Sequence, residues 1–321
     1  MSVQRVVAAP ALRISARSDA SRKASRGLRR WIKIALSIGL SVLLAYVSTG
    51  TILWTWQDRL IFEPSRDMVV HAAQLSFLAR DITIAVGGRP SSAQKLHAWW
   101  MPARNTDAKV FLYFHGKDGN VSTSVKETSH LRELGHSVLS VDYRGYGESD
   151  GSFPTEATMY EDAEATLAYV FERMHVAPRM VYVYGHSLGA AVAIDLAVKH
   201  PELGGLIVES GFTSIYEMSR LDGMYAIYPV KLLLNQRFDS LRKVSLLALP
   251  VLFIHGTVDD VVPFAMGKAL FEHSTGHKRF LAVEGAKHEN NSSVAPAALR
   301  AAISELVGSN HRALTAGDRT I

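Results

Sequence analysis

Apolar runs alternate with helical stretches through most of this chain, and this alternation constrains the fold more than any other feature. Each run is followed by a turn and then by a stretch with helical spacing; the clearest runs are "KVFLYFHG", "SVLSVDYRG", "MVYVYGHS" and "PVLFIHG". Strands that alternate with helices of these lengths indicate a parallel sheet with helices on both faces. Runs such as "VFLYF" are apolar at every position, as expected when both faces of a sheet are covered. The sequence therefore predicts an α/β fold.

An uncharged apolar segment precedes this pattern. It runs from Ile34 to Trp54, 21 residues without a charge, with Trp31 and Trp56 on either side. A bilayer core needs about 20 apolar residues in a helix, and tryptophan is enriched at the membrane surface. A cleavable signal peptide is the main alternative, but its apolar region is usually about 7–15 residues long and ends at a small-residue cleavage site. The sequence therefore predicts one uncleaved transmembrane helix.

The positive charge of the chain is concentrated at its N-terminus. Residues 1–33 hold nine Lys and Arg against one Asp, a balance of +8, so the net charge of +5 leaves 5 − 8 = −3 for the rest. A basic tail beside an apolar helix predicts a single-pass protein of the cell membrane whose tail is cytoplasmic. Everything after Trp56 would then be periplasmic or extracellular. Because the body is mildly acidic, we expect no nucleic acid among its partners.

These patterns divide the chain into four predicted segments. They are a basic cytoplasmic tail (1–33), a transmembrane anchor (34–56), a body (57–307) and a mobile tail (308–321). The body opens with "DITIAVGG" and "KLHAWWMP", which predict a β-hairpin. Around 212–249 the alternation breaks down, which indicates a small cap over the carboxyl ends of the strands, where ligands bind in such sheets. A helix that covers one sheet edge is the alternative for this segment, and both can hold.

A Gly-x-Ser-x-Gly sequence follows one predicted strand and opens an alanine-rich helix. It places Ser187 between Gly185 and Gly189. Glycines at these two positions let the strand and helix backbones pass closely while the serine hydroxyl is exposed at a sharp turn. A helix N-cap would explain the serine but not both glycines. Since the chain has no cysteine, any nucleophile is oxygen-based, and the sequence predicts Ser187 in that role.

A serine nucleophile requires a base, and the base requires an orienting carboxylate. His288 follows the last predicted strand, and Asp259 follows the one before it, which gives the chain order Ser, Asp, His. Two other carboxylates compete with Asp259 for the acid role. Asp260 is adjacent but is also placed to cap the next helix, and Glu209 ends an earlier strand. The sequence favours Asp259.

The negative charge that develops on an attacked carbonyl needs two preorganised N–H donors. The residue after the nucleophile, Leu188, supplies one backbone N–H, and Lys117 in "HGKDGN" supplies the other. His115 in the same loop is predicted to be a structural hydrogen-bonding group. No His/Asp cluster with metal-ligand spacing stands out, so we expect neither a metal nor a cofactor.

Several stretches of the chain resemble the alpha/beta-hydrolase superfamily over roughly Gln57–Val307. Within it, they are similar to the membrane-anchored branch that includes bud-emergence-type hydrolases and the abhydrolase protein depalmitoylases. The resemblance is carried by "QDRLIFEPSR", "LHAWWMP", "YFHGKDGN", "DYRGYGESDG", "GHSLGA", "FDS…LPVLFIHGTVDDVVP" and "GAKH". It implies an alpha/beta-hydrolase fold with a small cap, the triad Ser187, Asp259 and His288, and Lys117 and Leu188 as oxyanion donors. Lys117 departs from the family pattern, where a smaller or neutral residue is common, and the family does not predict the basic tail.

Together these features predict a membrane-anchored serine hydrolase. It would cleave carboxylic ester or thioester bonds of a small-molecule or acylated substrate through an acyl-enzyme. One alternative is a non-catalytic binding or scaffold protein, because a fold does not by itself define a function. Such a protein would be expected to lack a triad member, whereas none of the predicted three is missing. The other is a serine peptidase, which would share the triad, although no acidic motif for a substrate amine stands out.

Overall fold

The computed structural model of the chain describes residues 14–87, 93–105, 108–221 and 223–317, with side chains described between 22 and 308. The chain divides into two units, Met1–Thr55 and Trp56–Ile321. The first unit contains the long helix α1 (Ile14–Trp56), whose last residue belongs to the second. Of the predicted basic tail, residues 1–13 lie outside the described part.

Helix α1 is the one helix among the described residues that is long and apolar enough to cross a membrane. Its candidate span is Arg22–Trp56, with a mean hydropathy of 1.8 over an 18-residue window in which no residue is buried. A signal sequence near an N-terminus passes the same test of length and composition. The helix has the length and composition of the predicted anchor, which stays a prediction.

The second unit is built from strands and helices in alternation. The main strands of the body are β2 (Arg80–Val86), β3 (Gln94–Met101), β4 (Val110–Phe114), β6 (Ser137–Val141), β7 (Val181–His186), β8 (Gly205–Glu209), β9 (Val251–Gly256) and β10 (Lys278–Val283), with the short β1 (Glu63–Pro64) and β5 (Asp118–Gly119). The helices are α2 (Asp58–Ile61), α3 (Val125–Glu133), α4 (Glu156–Glu172), α5 (Leu188–Lys199), α6 (Ile215–Ser219), α7 (Val230–Leu233), α8 (Ser240–Val244), α9 (Phe264–His273), α10 (Asn291–Val294) and α11 (Pro296–Gly317). Short 3-10 helices lie at Ala72–Gln74, Pro178–Met180 and Gly223–Ile227.

The described strands form an eight-stranded sheet in the order β10-β9-β8-β7-β4-β6-β3-β2. Strand β3 is antiparallel to both neighbours, β2 and β6, and the other neighbouring strands are parallel. The predicted opening hairpin, β2–β3, and the mostly parallel sheet are thus confirmed. Because the strands after β3 are parallel, the residues that follow their carboxyl ends meet at one edge of the sheet.

Alternate side chains of the central strands pack into two separate cores. In β4, Leu112 and Phe114 belong to one core cluster and Phe111 and Tyr113 to the other. Both faces of the sheet are covered: α4, α5, α8 and α9 contribute to the first cluster, and α3 and α11 to the second. This explains why the strands are apolar at every position.

The segment 212–249 contains only short helices among its described residues. Its second half joins the core, because Phe238 is buried against Phe62 and Tyr160. Its first half, from α6 to α7, leaves several large apolar side chains exposed. The second half thus packs as the sheet-covering alternative predicts; that the segment acts as a cap stays a prediction.

The C-terminal helix differs from the sequence prediction in its bounds. The predicted helix ends at Val307, whereas α11 continues to Gly317. Polar composition suggested an irregular tail, but between Val307 and Gly317 there is no proline to interrupt a helix. The mobility predicted for 308–321 stays a prediction, and residues 318–321 lie outside the described part.

A buried histidine connects the antiparallel edge of the sheet to the loop after β6. His97 places Nδ1 2.8 Å from an Asp142 carboxylate oxygen and Nε2 3.0 Å from Asp81. Asp142 is fully buried and also accepts a hydrogen bond from the Val121 N–H at 2.7 Å. Burial alone would lower the pKa of His97, but its hydrogen bonds to Asp142 and Asp81 raise that pKa to about 9. The ring is therefore a cation that bridges two strands at neutral pH.

We predict that the free energy of unfolding falls as the pH rises from 6.5 to 9. Below pH 6.5 the folded and the unfolded chain both hold the His97 proton, so the stabilisation is complete. Between pH 6.5 and 9 the unfolded chain loses this proton while the folded chain keeps it, so the stabilisation declines, and above pH 9 it is gone. A shift from 6.5 to about 9 corresponds to at most about 3 kcal/mol. Urea unfolding of the full chain in detergent across this range measures the effect.

The control is a second histidine change. His97→Asn should remove this pH dependence, whereas His273→Asn, at an exposed position at the end of α9, should keep it. An unchanged pH profile in His97→Asn would contradict the assignment.

Candidate active site

The turn between β7 and α5 holds Ser187 in an unusual backbone conformation. Its φ is +54° and its ψ is −116°, and residues other than glycine rarely adopt such a positive φ. Such strain costs on the order of 1–3 kcal/mol and is found mostly at functional sites. The Ser187 N–H donates to the Glu209 carbonyl at 2.9 Å, which fixes the turn against β8.

The two glycines that flank this turn are required by close backbone contacts. A Cβ atom on Gly185 would lie 2.2 Å from the Gly189 carbonyl oxygen, and one on Gly189 would lie 2.1 Å from the Phe114 carbonyl oxygen. No side chain fits at such distances. The helix can therefore cross directly over the ends of β7 and β4, as the motif requires.

Ser187 and His288 are in hydrogen-bond contact. The Ser187 Oγ lies 2.9 Å from His288 Nε2, and both residues are buried. The alternative role as an N-cap is not realised, because the Ser187 side chain makes no hydrogen bond to the first turn of α5. The hydroxyl thus faces the imidazole across the edge where the parallel strands end.

Asp259 lies on the other side of His288. Its two carboxylate oxygens are 2.8 and 3.0 Å from His288 Nδ1. One of them also accepts the N–H groups of Val261 and Val262, at 2.9 and 2.8 Å, and the other lies 3.3 Å from His255 Nε2. Burial alone would raise the pKa of Asp259, but the hydrogen bonds from His255 and His288 hold it well below its usual range. The carboxyl group is therefore ionised next to the imidazole.

The two competing carboxylates are engaged elsewhere. Asp260 is exposed and pairs with Lys287 Nζ at 3.0 Å. Glu209 is buried and accepts a hydrogen bond from the Tyr184 hydroxyl at 2.6 Å. The structure thus brings the carboxylate of Asp259, and of neither of these two, to the His288 imidazole.

The two predicted oxyanion donors belong to the residue after Ser187 and to the loop after β4. Leu188 is the first residue of α5, so its N–H has no acceptor within the helix. In the loop after β4, His115 Nδ1 lies 2.9 Å from the Gly116 carbonyl oxygen. A trans peptide points its C=O and N–H in opposite directions, so this contact directs the Lys117 N–H away from the His115 ring. A Cβ on Gly116 would lie 3.4 Å from the Ser187 Cβ, so this loop borders the nucleophile.

The side chain of Lys117 is held away from this role. Its ammonium group pairs with Glu63, and its carbonyl oxygen accepts the Glu63 N–H at 2.9 Å and the Tyr146 hydroxyl at 2.6 Å. The pairing of β1 with β5 continues this attachment. A lysine is therefore tolerated at a position where the resemblance implies a smaller residue, because its side chain is directed to Glu63.

Some residues of the site were missed by the sequence analysis. His186 Nε2 and the Ser210 hydroxyl lie 3.2 and 3.3 Å from the His288 carbonyl oxygen, and Asn291 donates to that hydroxyl at 3.3 Å. His255 Nε2, which contacts the Asp259 carboxylate at 3.3 Å, was also missed. Burial alone would lower the pKa of His186, but nearby Glu209 and Glu289 raise it. These partners come from separate strands and loops, so no local spacing could have revealed them.

One group of side chains has the spacing of a metal site among the described residues. His186, His288 and Glu289 place one ligand atom each within 4.8 Å of one another. Both nitrogens of His288 are already used, by Ser187 and Asp259. A metal ion here would have to displace Ser187 from the imidazole, so the donor set does not fit a resident metal.

Comparison with known proteins identifies the family. A family model described as "Serine aminopeptidase, S33" matches residues 105–242. An uncharacterized protein of Mycobacterium tuberculosis is 31% identical over 262 residues, which cover 81% of this chain and 90% of that protein. The lysophosphatidylserine lipase ABHD12 of Danio rerio is 32% identical over 207 residues, 59% of this chain and 53% of the lipase. The chain thus spans about half of that lipase.

A solved structure gives the same fold at low sequence identity. The Pyrococcus furiosus esterase Pf2001 superposes with a TM-score of 0.63 at 20% identity, over 78% of this chain and 97% of the esterase. The chain belongs to the alpha/beta-hydrolase superfamily. The family and its lipase and esterase members together support a hydrolase.

We predict that Asp259→Asn is far more damaging to hydrolysis than Asp260→Asn, with Glu209→Gln intermediate or mild. An amide at position 259 would favour the wrong imidazole tautomer, and the loss in kcat of such a change is on the order of 10⁴-fold. The Asp260 carboxylate faces solvent beside Lys287, so its change should leave kcat nearly unaltered. Steady-state kinetics on a short-chain p-nitrophenyl ester compares the three; Glu209→Gln as the worst would contradict the assignment.

Proposed function

We propose that this chain is a membrane-anchored serine hydrolase that cleaves carboxylic ester or thioester bonds. The observation that supports this most strongly is the continuous hydrogen-bond chain from Ser187 through His288 to Asp259, with distances of 2.9 and 2.8 Å. A hydroxyl, an imidazole and an ionised carboxylate in this order form the arrangement that activates a serine for acyl transfer.

In the first step, Ser187 Oγ attacks the carbonyl carbon of the substrate. His288 Nε2 takes the hydroxyl proton as the new C–O bond forms, and Asp259 stabilises the resulting imidazolium. The negative charge moves to the carbonyl oxygen, where the N–H groups of Lys117 and Leu188 would stabilise it. Collapse of this intermediate expels the alcohol or thiol, which receives its proton from His288, and leaves the acyl group on Ser187.

The second step returns the enzyme to its starting state. A water molecule takes the position of the leaving group. His288 removes a proton from this water as the water oxygen bonds to the acyl carbon. The acid product leaves as the bond to Ser187 Oγ breaks, and His288 returns the proton to that oxygen. Every proton thus passes through His288 Nε2, so the contacts to its carbonyl from His186 and Ser210 matter for its position.

The substrate is proposed to be a small molecule or an acylated molecule. The names of two relatives support ester chemistry: one is a lysophosphatidylserine lipase and the other an esterase. Each name describes that protein, and neither fixes the acyl length or the leaving group here. Graded-length p-nitrophenyl esters and the matching thioesters would define both.

An aminopeptidase is the second candidate. The matching family model carries that name, and Glu289 is the observation that favours it. Its exposed carboxylate lies 3.8 Å from the Nε2 atoms of both His288 and His186, where it is placed to pair with a substrate ammonium. Hydrolysis of aminoacyl p-nitroanilides that is lost in Glu289→Gln, while ester hydrolysis persists, would establish this second activity.

Anchoring in the cell membrane is the other part of the proposal. Helix α1 has the length and composition of a membrane span, and a helix of 21 residues rises about 30 Å, the thickness of the bilayer core. The basic residues before Ile34 favour a cytoplasmic N-terminus. The hydrolase body would then lie on the periplasmic or extracellular side.

We predict that Ser187→Ala lowers ester turnover by on the order of 10³-fold or more while the protein stays folded. No other residue of the site offers a hydroxyl within reach of His288 Nε2 among the described contacts. Ser245→Ala, at an exposed position after α8, is the matched control and should keep full activity. Turnover in Ser187→Ala within tenfold of the parent would remove Ser187 from its role and favour a different nucleophile.

We predict that protease added to intact cells or spheroplasts digests the body of a C-terminally tagged chain. Lys and Arg cost a few kcal/mol each at the centre of a bilayer, so the N-terminal cluster stays on the cytoplasmic side. A tag on the N-terminus of the same chain is the control and should be protected until the cells are lysed. Protection of the body in intact cells would place it in the cytoplasm and leave the catalytic proposal untouched.

A further inference from the structure

The stretches 215–221 and 223–234, together called the docking segment below, expose large apolar side chains. Leu221 is 54% exposed and Leu232 is 83% exposed, and Met224 and Ile227, at 70% and 68%, lie between them. The segment consists of α6, a 3-10 helix and α7, each at most five residues long. Four such side chains within twelve residues exceed the scattered exposed apolar groups of an ordinary surface.

The docking segment carries tyrosine and basic side chains of the kind found at membrane surfaces, beside Glu217, whose carboxylate pairs with Arg220 at 3.4 Å. A cleft of about 470 Å³ lies in it, lined by Tyr216, Tyr225, Tyr228, Arg220 and Lys231 among others. Lys231 Nζ lies 4.7 Å from the centre of the Tyr216 ring. Tyrosine rings and the long basic side chains are typical of the layer between lipid tails and water, where one end of the side chain is apolar and the other is wet.

The end of the docking segment is attached to the residue that follows α1. Gln57 is buried, its side-chain amide donates to the Leu233 carbonyl oxygen at 3.0 Å, and its side-chain oxygen accepts the Asn235 N–H at 2.8 Å. Phe62, five residues further on, packs against Phe238 with ring centres 6.0 Å apart. Gln57 comes directly after Trp56, the last residue of α1. If α1 crosses a membrane, Gln57 emerges at its surface, and the docking segment ends within one hydrogen bond of that point.

We propose that the docking segment inserts into the headgroup layer of the membrane that α1 crosses. Leu221 and Leu232 would reach the boundary of the acyl chains, with Tyr216 and Lys231 among the headgroups. This inference rests on the anchoring part of the proposed function. The peptide bond from Trp56 to Gln57 and the hydrogen bonds of Gln57 to Leu233 and Asn235 keep one end of the segment beside that membrane, which favours a lipid bilayer over a protein partner.

Docking would also determine where the substrate comes from. The segment follows β8, whose last residue, Glu209, accepts the Ser187 N–H at 2.9 Å. A bilayer on the docking segment would therefore lie on the side of the sheet where Ser187 faces outward. A substrate held in the membrane would then approach Ser187 from that side.

The test uses single cysteines, because the chain has none of its own. Leu221→Cys and Leu232→Cys in the full chain are labelled with a polarity-sensitive fluorophore and reconstituted into phosphatidylcholine–phosphatidylglycerol vesicles. The control is Leu246→Cys, a leucine that is 62% exposed but precedes β9, at the opposite edge of the sheet. Vesicle flotation and hydrolysis of a soluble short-chain ester are measured on the same samples.

We expect the labels at 221 and 232 to shift their emission to shorter wavelength and to be quenched by nitroxide lipids, while the label at 246 does neither. If the protein floats and is active but nitroxide lipids do not quench the labels at 221 and 232, the docking is overturned and the proposed function stays intact. Labels shielded from an aqueous quencher but not reached by the lipid quencher would also overturn it and indicate a protein partner. Failure to float would overturn the anchor and the docking together, with the ester assay still reporting on the catalytic proposal.

Discussion

The close crossing of helix α5 over the ends of β7 and β4 is the constraint on which the site depends. It brings the backbone of Gly185 against that of Gly189, and Gly189 against Phe114, at distances that exclude any side chain. The same crossing forces Ser187 to a positive φ, which turns its hydroxyl away from the helix and toward His288. It also leaves the Leu188 N–H at a helix N-terminus, where the helix dipole favours developing negative charge. One steric requirement thus places the proposed nucleophile and one proposed oxyanion donor together.

The remaining groups are positioned by the parallel sheet. The loops after β4, β9 and β10 carry Lys117, Asp259 and His288, and all three strands end at the same edge. Each loop is then held by its own contacts: Glu63 on Lys117, the Val261 and Val262 N–H groups on Asp259, and His186 with Ser210 on the His288 carbonyl. The site therefore depends on long-range packing as much as on the motif itself.

Much of the fold could be predicted from the sequence because its signals are local. Apolar runs predicted the strands, and the glycine spacing around Ser187 predicted the sharp turn. The choice between Asp259 and Asp260 also followed from local sequence, and the structure places Asp259 at the histidine. What the sequence could not show were the contacts between distant segments. The His97 bridge to Asp142 and Asp81, the support of Asp259 by His255, and the attachment of Gln57 to Leu233 all join residues whose spacing carries no pattern. The length of α11 was missed because polar composition is a poor guide to where a helix ends.

Catalysis by the proposed route requires that an acyl group is transferred to Ser187. Trypsin cleavage after Arg179 and Lys199 would release residues 180–199, in which Ser187 is the one serine. The most direct measurement is mass spectrometry of this peptide after the full chain is mixed with a p-nitrophenyl ester and quenched with acid within the first turnover. We expect an added acyl mass on Ser187 that disappears as the free acid accumulates. Turnover with no acyl mass on this peptide, or with a stable acyl group elsewhere, would contradict it.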